Sequence, residues 1–333
     1  MAADLIADSA ARLFAQHADA PQDGSWPAAL WRAIEDAGFP LALLAEQDGG
    51  FGLGPEDSMT PLRISASVAA AVPLAETMLA NWILARAGLP LAQGPAAVVF
   101  GPVRQVPWGR NLSVLVICGD AMGSSLVSAC PVGPADWQHG VSLAGEPRDD
   151  LIPALPVDAQ AHLPLDPRVP QALAAMLRCQ QIAGALEAVL ALSVRYASDR
   201  VQFGRPIGKL QAIQQYLAVM ATETAAAGVA AQMAAQTLPL ADDQPDRLIL
   251  LTAAAKIRAG EAAGKVAELA HQVHGAIGFS QEYPLHPLTR RLWTWRDDHG
   301  RESDWAATLG QSLARGYGQG LWSQITTLQS DRF

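Results

Sequence analysis

Two segments in the C-terminal half of the chain carry residue types from which a binding site could be built. The first, RVQFGRPIGKLQAIQQ, runs from Arg200 to Gln215 and holds a cation, an aromatic ring, glycines and glutamines where one long apolar stretch gives way to another. Taken alone, Arg200 is more often a partner of a helix C-terminus, and the GRPI run is more often a turn between two helices. The segment by itself leaves both interpretations open.

The second segment, QVHGAIGFSQEYPLHPLTRRLWTWRDDHG, begins at Gln272 and leads into a cluster of titratable residues. His299 could serve as a general base, since imidazole titrates near neutrality. Asp297, Asp298 and Glu302 are neighbouring carboxylates that could take the role instead. The alternative is that RDDHGRESD is a solvated charged loop without chemistry.

The composition limits which kinds of function the chain can have. Half of the 333 residues are apolar and only 17% are charged, so the chain can bury a large core. The net charge of -9 argues against a nucleic-acid surface, which needs clustered Lys and Arg. Neither the three cysteines nor the histidines have metal-ligand spacing, and an odd cysteine count argues against a disulfide framework. We therefore predict no metal site, reduced thiols and a cytoplasmic location.

The longest apolar region lies between residues 67 and 92. Pro73, Glu76, Asn81 and Arg86 interrupt it, whereas a membrane-spanning helix needs about 20 predominantly apolar residues in a row. This region therefore predicts no membrane span.

The apolar periodicity divides the chain into three parts. Residues 1–95 have the pattern of helices joined by loops, and residues 96–166 contain short runs of strand-forming residues between Gly, Pro and Asp turns. Residues 167–333 carry long Ala-rich helices, which favour an antiparallel four-helix bundle. These helices are predicted at about 170–200, 211–236, 245–274 and 301–328. The predicted fold class is mainly α with a small β domain that is not a parallel α/β sheet.

The order of these parts, together with the two segments, resembles the acyl-CoA dehydrogenases, FAD enzymes that desaturate acyl-CoA thioesters. The first segment is similar to the family motif Arg-x-x-Phe-Gly-x-x-Ile-x-x-x-Gln. The second is similar to Gln-x-x-Gly-Gly-x-Gly-Phe-x-x-Glu-x-Pro, with Ala276 in place of the second glycine. The resemblance covers most of the chain. It implies an N-terminal helical domain, a middle β-barrel-like domain and a C-terminal four-helix bundle.

The resemblance also implies cofactor-binding residues, because in the family the FAD lies between two subunits. Arg200 matches the arginine that meets the pyrophosphate of the neighbouring subunit's FAD, a role that suits a guanidinium fork. Phe203 matches a ring packed by the cofactor, and Gln211 matches an amide that reaches its adenosine end. The stretch that would lie along the AMP half of that FAD consists of Gln272, Val273, His274, Gly275 and Ala276.

The chain departs from the family pattern where the family carries its chemistry. The family's base is a glutamate before a glycine, because a desolvated carboxylate suits proton abstraction near neutral pH; His299 stands at this position. The other base position known in the family corresponds to the neighbourhood of Ala174 to Arg178, which has no carboxylate. The Thr-Glu-Pro and Gly-Ser-Asp motifs that support the flavin ring in the family have no counterpart in the β region.

The retained motifs would serve a neighbour's cofactor, whereas the lost ones would serve the chain's own. This inventory is similar to that of the acyl-CoA dehydrogenases that act on steroid side chains, which are α2β2 assemblies of unlike subunits. We therefore predict the degenerate subunit of a heteromeric, FAD-dependent acyl-CoA dehydrogenase for a bulky, steroid-derived acyl-CoA. The implied partners are the acyl-CoA, a second acyl-CoA dehydrogenase-like subunit or a second copy, and an electron-transfer flavoprotein or similar acceptor.

Two alternatives stay open at this point. The chain could be a self-sufficient flavoenzyme that uses His299 or a nearby carboxylate as its base. It could also be a flavin-free scaffold or regulatory paralogue that keeps only the fold.

Overall fold

Four helices make up the N-terminal part of the protein. The computed structural model describes residues 2–21, 23–121, 124–152 and 155–315. The first helices are α1 (Ala2–Gln16), α2 (Ala28–Asp36), α3 (Pro55–Ser67) and α4 (Leu74–Arg86). Leu30 and Ile34 of α2 are buried, as their spacing predicts, and Gly38 adopts φ +73°, a left-handed conformation that ends a helix. Every residue from Leu74 to Leu84 is buried, so α4 is a core helix.

The β region forms two small sheets around a shared core. Its strands are β1 (Ala96–Phe100), β2 (Val106–Pro107), β3 (Val114–Ala121), β4 (Ser124–Pro131), β5 (Trp137–Gln138), β6 (Arg148–Leu151) and β7 (Ala159–Leu163). One sheet has the order β1-β3-β4-β7 and the other β2-β6-β5. Trp108, Leu115 and Trp137 are buried together between them. Only the β1–β3 pair is parallel among the described pairs of these sheets, and its crossover, residues 101–113, contains no α-helix.

Long helices build the C-terminal part and confirm the predicted fold class. A short hairpin of β8 (Val201–Gln202) and β9 (Arg205–Pro206) joins the first two helices. The helices are α5 (Val169–Asp199), α6 (Gln211–Ala235), α7 (Pro245–His274), α8 (Leu285–Asp297) and α9 (Glu302–Arg315). The first three agree with their predicted bounds to within a residue. The predicted fourth bundle helix is seen as α9, and its predicted continuation lies in residues 316–328, outside the described part of the chain.

Helix α8 was not predicted from the sequence. Its buried residues Leu285, Leu288, Leu292 and Trp295 recur with helical spacing, which was the available signal. Pro287 lies within this stretch and favoured a loop. A proline is tolerated in the first turn of a helix, because the N–H that it lacks has no partner there.

Small residues allow the bundle helices to approach the N-terminal helices closely. A Cβ atom placed on Gly184 of α5 would lie 2.1 Å from the backbone oxygen of Arg63 in α3. Only a residue without a side chain fits there. The contact fixes α5 against the N-terminal part and so positions the residues that α5 carries.

Two bundle segments are long and apolar enough to cross a membrane by length and composition alone, namely Val169–Asp199 and Gln211–Leu240. In the first, 83% of the apolar window is buried inside the protein, as in a core helix. In the second, only 28% is buried, so much of α6 lies at the surface of the described part of the chain. The absence of a membrane span stays a prediction.

Candidate functional site

The first segment forms the end of α5, a tight hairpin and the start of α6. Both residues at the tip of the hairpin have positive φ, +52° at Phe203 and +75° at Gly204, as in two-residue hairpin turns. The N–H of Ile207 donates to the carbonyl of Arg200 at 2.8 Å and holds the hairpin against the end of α5. Phe203 is consequently 87% exposed. A ring held away from the protein in this way is available to a neighbour.

A small apolar cluster brings the two segments together. Ala197 at the end of α5, Ile207 after the hairpin and Val273 at the end of α7 are buried against one another. Leu210 and Ile213, which flank Gln211, pack on the same cluster. The two segments are far apart in the sequence but share this base, so their exposed residues lie on one surface.

The second segment ends α7 and turns sharply. Gly275 adopts φ +62° and ψ -143°, a conformation that is essentially restricted to glycine. Six of the eight predicted cofactor residues are exposed in this structure, namely Arg200, Phe203, Gln211, Gln272, Gly275 and Ala276. We call these six the motif surface. Val273 and His274 are buried instead, so their side chains support the surface from below and do not line it.

His274 is held between aromatic rings. Its imidazole stacks on Tyr196 with ring centroids 4.5 Å apart and lies 5.3 Å from the ring of Tyr283. Nδ1 lies 2.8 Å from the carbonyl of Ala270, to which it donates in the neutral tautomer. Burial lowers the pKa of His274. The residue is therefore a neutral packing element beneath the motif surface.

His299, at the position of the family's base, lies at the opposite end of α8 from the motif surface. It adopts φ +57°, and Trp305 Nε1 donates to its backbone carbonyl at 3.0 Å. Burial, followed by the nearby Arg178, lowers the pKa of His299 to about 3. The imidazole is thus neutral at physiological pH, and its conjugate acid is far stronger than a general base near neutrality requires.

The cavity beside His299 is small, with a volume of about 20 Å³. Arg178 of α5 lines it and pairs with Glu76 of α4, which also lines it. The Nε atom of Arg178 also lies 3.1 Å from Oδ2 of Asp298, and Arg148 Nη2 lies 2.6 Å from the same oxygen. We call Glu76, Arg178, Asp298 and Arg148 the buried network. Its charges, two positive and two negative, balance.

The buried network withdraws Asp298 from solvent, whereas Asp297, Arg301 and Asp304 of the same RDDHGRESD stretch are exposed, as in a solvated loop. The side chain of Asp298 is only 12% exposed. Burial alone would raise the pKa of Asp298, but Arg148 and Arg178 outweigh it and hold that pKa well below its usual range. A carboxylate held in this way accepts a proton poorly, so Asp298 does not have the raised pKa that a catalytic base needs.

The other two candidate carboxylates are also paired. Asp297 pairs with Arg301 at 3.1 Å on the surface, and Glu302 accepts a hydrogen bond from Arg296 Nε at 2.6 Å. Neither residue has the unpaired, desolvated environment that the family's chemistry calls for.

Lys256 fixes the loop that carries His299. Its side chain is fully buried, and Nζ donates to the backbone carbonyls of Arg296 at 2.6 Å and Gly300 at 2.8 Å. Burial lowers the pKa of Lys256. Neither Lys256 nor the buried network was predicted from the sequence. The available signal was an isolated charge inside an apolar helix, as at Glu76 and Arg178.

A larger cavity of about 870 Å³ lies elsewhere, between the loop after α1, the end of α3, the loop before β6 and the start of α8. None of the predicted site residues lines it. Among the described residues, no group of three or more potential metal ligands comes together.

Comparison with known proteins shows which family the C-terminal part of the chain matches. The family profile "Acyl-CoA dehydrogenase, C-terminal domain" matches residues 172–295, a range that includes the hairpin, the buried Val273 cluster and most of α8. Residues 172–295 therefore belong to the acyl-CoA dehydrogenase family. The two segments of the motif surface therefore lie within the part of the chain that the family profile recognises.

Individual acyl-CoA dehydrogenase relatives differ in how much they share. Acyl-CoA dehydrogenase IpdE2 of Mycobacterium tuberculosis is 29% identical over 307 residues, which cover 86% of this chain and 89% of that protein. Acryloyl-CoA reductase (NADH) of Anaerotignum propionicum is 41% identical over 110 residues, which cover only 33% of this chain and 27% of that protein. A chain of the ChsE4-ChsE5 complex from Mycobacterium tuberculosis superposes with a TM-score of 0.81 at 22% identity, covering 94% of this chain and 97% of that one. At that identity the likeness shows the fold alone.

Proposed function

We propose that this chain is the non-catalytic subunit of a heteromeric, FAD-dependent acyl-CoA dehydrogenase that desaturates a bulky, steroid-derived CoA thioester. The observation that carries the proposal is a contrast within one chain. Six of the residues that match the family's cofactor contacts form one exposed surface, whereas the position of the family's base holds a half-buried, neutral histidine beside a cavity of about 20 Å³. The chain therefore offers a neighbour a nucleotide-binding surface and takes its chemistry from that neighbour.

The residues of the motif surface suit the nucleotide half of FAD. The guanidinium of Arg200 has no acidic partner in the described part of the chain and is exposed, so it is available to pyrophosphate oxygens. Phe203 presents a flat ring, and the absent side chain at Gly275 allows close backbone approach. Bound between subunits, the FAD would accept the β-hydride of the acyl-CoA while a base removes the α-proton.

The cavity beside His299, where this chain would hold a flavin ring and an acyl group of its own, does not suit either of them. A cavity of about 20 Å³ is far smaller than the several hundred Å³ of an ordinary ligand pocket. His299, Asp298, Asp297 and Glu302 are each neutral or paired with a cation. We infer that the base and the platform for the flavin ring come from a partner subunit, which argues against a self-sufficient enzyme.

Exposed apolar side chains around the motif surface support a protein partner. Val201, Phe203, Ile277 and Phe279 are all exposed, and α6 adds the exposed Val229 and Met233. Exposed apolar side chains grouped in short segments suit a protein interface. The solved ChsE4-ChsE5 structure, which shares this fold, is a complex of two named proteins. An α2β2 assembly with a second acyl-CoA dehydrogenase-like chain, and an electron-transfer flavoprotein as acceptor, completes the proposal.

The test is co-expression with the acyl-CoA dehydrogenase-like chain of a neighbouring reading frame that carries the glutamate. The complex should contain flavin and reduce an electron acceptor with acyl-CoA, whereas this chain alone should be colourless. The Arg200→Ala variant should retain FAD at least about tenfold more weakly, because a charge-assisted hydrogen bond contributes roughly 1.5–3 kcal/mol.

Arg205→Ala is the matched control, since Arg205 is exposed in the same hairpin but does not match the motif arginine. It should leave FAD retention unchanged. A yellow, active chain purified without a partner would refute the proposed function. Equal FAD retention in the Arg200→Ala variant and the wild type would remove the pyrophosphate role and favour the scaffold alternative.

A further inference from the structure

The buried network joins three parts of the fold at one point. Glu76 comes from α4 in the N-terminal part, Arg148 from β6 in the β region, and Arg178 from α5 in the bundle. Asp298 follows α8 and contacts both arginines. All four side chains are largely excluded from solvent. The cleft between the three parts is therefore crossed by charged side chains.

The space that Arg178 and Glu76 line is otherwise apolar. Apart from the charged groups and His299, the remaining cavity is lined by Ala75, Leu79, Val98, Pro107, Ala174 and Leu177. Apolar walls suit an acyl chain. What is left of the cavity has room for about one water molecule. Arg178 and Glu76 thus line a small space whose other walls would suit hydrocarbon.

Insertion of an acyl chain would have to separate buried opposite charges. A buried ion that loses its partner without regaining water is strongly unfavourable. Apolar residues of similar volume could fill the same space with equal or greater stability, so stability alone does not account for charges at this place.

We infer that Arg178 closes this chain's own acyl cleft, with Glu76 and Asp298 as the anions that hold its guanidinium across the opening. The inference rests on the proposed function in one respect, because the ligand that is excluded is the acyl chain of an acyl-CoA. It adds a specificity to that function. Each of the two subunits would have an acyl cleft, and Arg178 closes the cleft of this chain. The acyl-CoA is therefore directed to the cleft of the partner subunit.

The experiment removes one cation and one anion together. The Glu76→Ala/Arg178→Ala double variant of the full chain keeps the Arg148–Asp298 pair, so no charge is left without a partner. Binding of octanoyl-CoA to the purified full chain is measured by titration calorimetry, with circular dichroism to establish folding. The double variant should bind at least about tenfold more tightly than the wild type, a difference well within the resolution of the method.

The control removes a second buried pair that does not line the cavity. Arg291 Nε donates to Glu146 Oε1 at 2.9 Å, and both side chains are buried. The Glu146→Ala/Arg291→Ala variant should lose stability but gain no affinity for octanoyl-CoA. An equal gain in the control would overturn the inference, because binding would then reflect a general loosening of the chain.

The remaining outcomes separate this inference from the proposed function. A folded double variant with no gain in affinity overturns the role of Arg178 and leaves the proposed function standing. A wild-type chain that is itself yellow and active with octanoyl-CoA refutes both. Should the double alanine variant not fold, the Glu76→Ala/Arg178→Met variant answers the same question, because methionine fills space without charge and adapts its shape.

Discussion

Replacement of His299 by asparagine should change how the stability of the protein depends on pH. The pKa of His299 falls from an ordinary 6.5 to about 3 on folding, because burial and Arg178 oppose its charge. Between these two values the unfolded chain binds a proton at this residue and the folded chain does not. The stability that the neutral His299 contributes is therefore fully present above about pH 6.5, and it is lost as the pH falls toward 3.

The magnitude follows from the two pKa values. At pH 5 the pH lies roughly 1.5 units below the pKa of the histidine in the unfolded chain. Proton binding therefore stabilises the unfolded chain by about 2 kcal/mol, at about 1.4 kcal/mol per unit. Asparagine does not titrate, and it tolerates the left-handed conformation of residue 299. The hydrogen bond from Trp305 to the backbone carbonyl is kept. Wild type should thus lose about 2 kcal/mol more than His299→Asn between pH 7 and pH 5.

The assay is urea unfolding of both proteins at pH 5, 6 and 7, with the free energy extrapolated to water. His271 and His274 also have lowered pKa values because of burial. Their contribution is common to both proteins, so it cancels in the difference. Identical pH dependence of wild type and variant would refute the reasoning. It would mean that His299 titrates freely in the folded protein, and the histidine would become a candidate base again.

Two further substitutions test how the site is supported. Gly184→Ala should lower the free energy of unfolding by about 3 kcal/mol in urea unfolding, since its Cβ would lie 2.1 Å from the carbonyl of Arg63. The control is Gly310→Ala, which should be neutral or stabilising because nothing lies within 4 Å of its Cβ. An equal loss of stability in both variants would argue against the close contact at Gly184. Lys256→Met leaves two backbone carbonyls without their donor, so it should lower stability by about 2 kcal/mol and speed amide hydrogen exchange around residues 298–300. Unchanged exchange there would show that the lysine does not hold the loop.

The sequence alone predicted the broad architecture and the residues from which the motif surface is drawn. Helical spacing and the change to short strand-forming runs predict three helices of the bundle closely, because long periodic segments bury one face whatever they pack against. The residue types of Arg200, Phe203 and Gly275 carry the resemblance to the family. Backbone requirements are local, so a glycine that ends a helix with positive φ is visible in the sequence.

Tertiary structure alone decided which motif residues are buried and how the charges around His299 are paired. Val273 and His274 belong to the same motif as Gly275, yet the fold buries them as support, since the face of a helix that meets the core depends on its neighbours. Asp298 looked like a solvent-exposed charge because nothing within RDDHGRESD reveals two arginines from distant elements. Charge pairing and burial act through space, and only the packing of α4, α5 and β6 brings Glu76, Arg178 and Arg148 to one point.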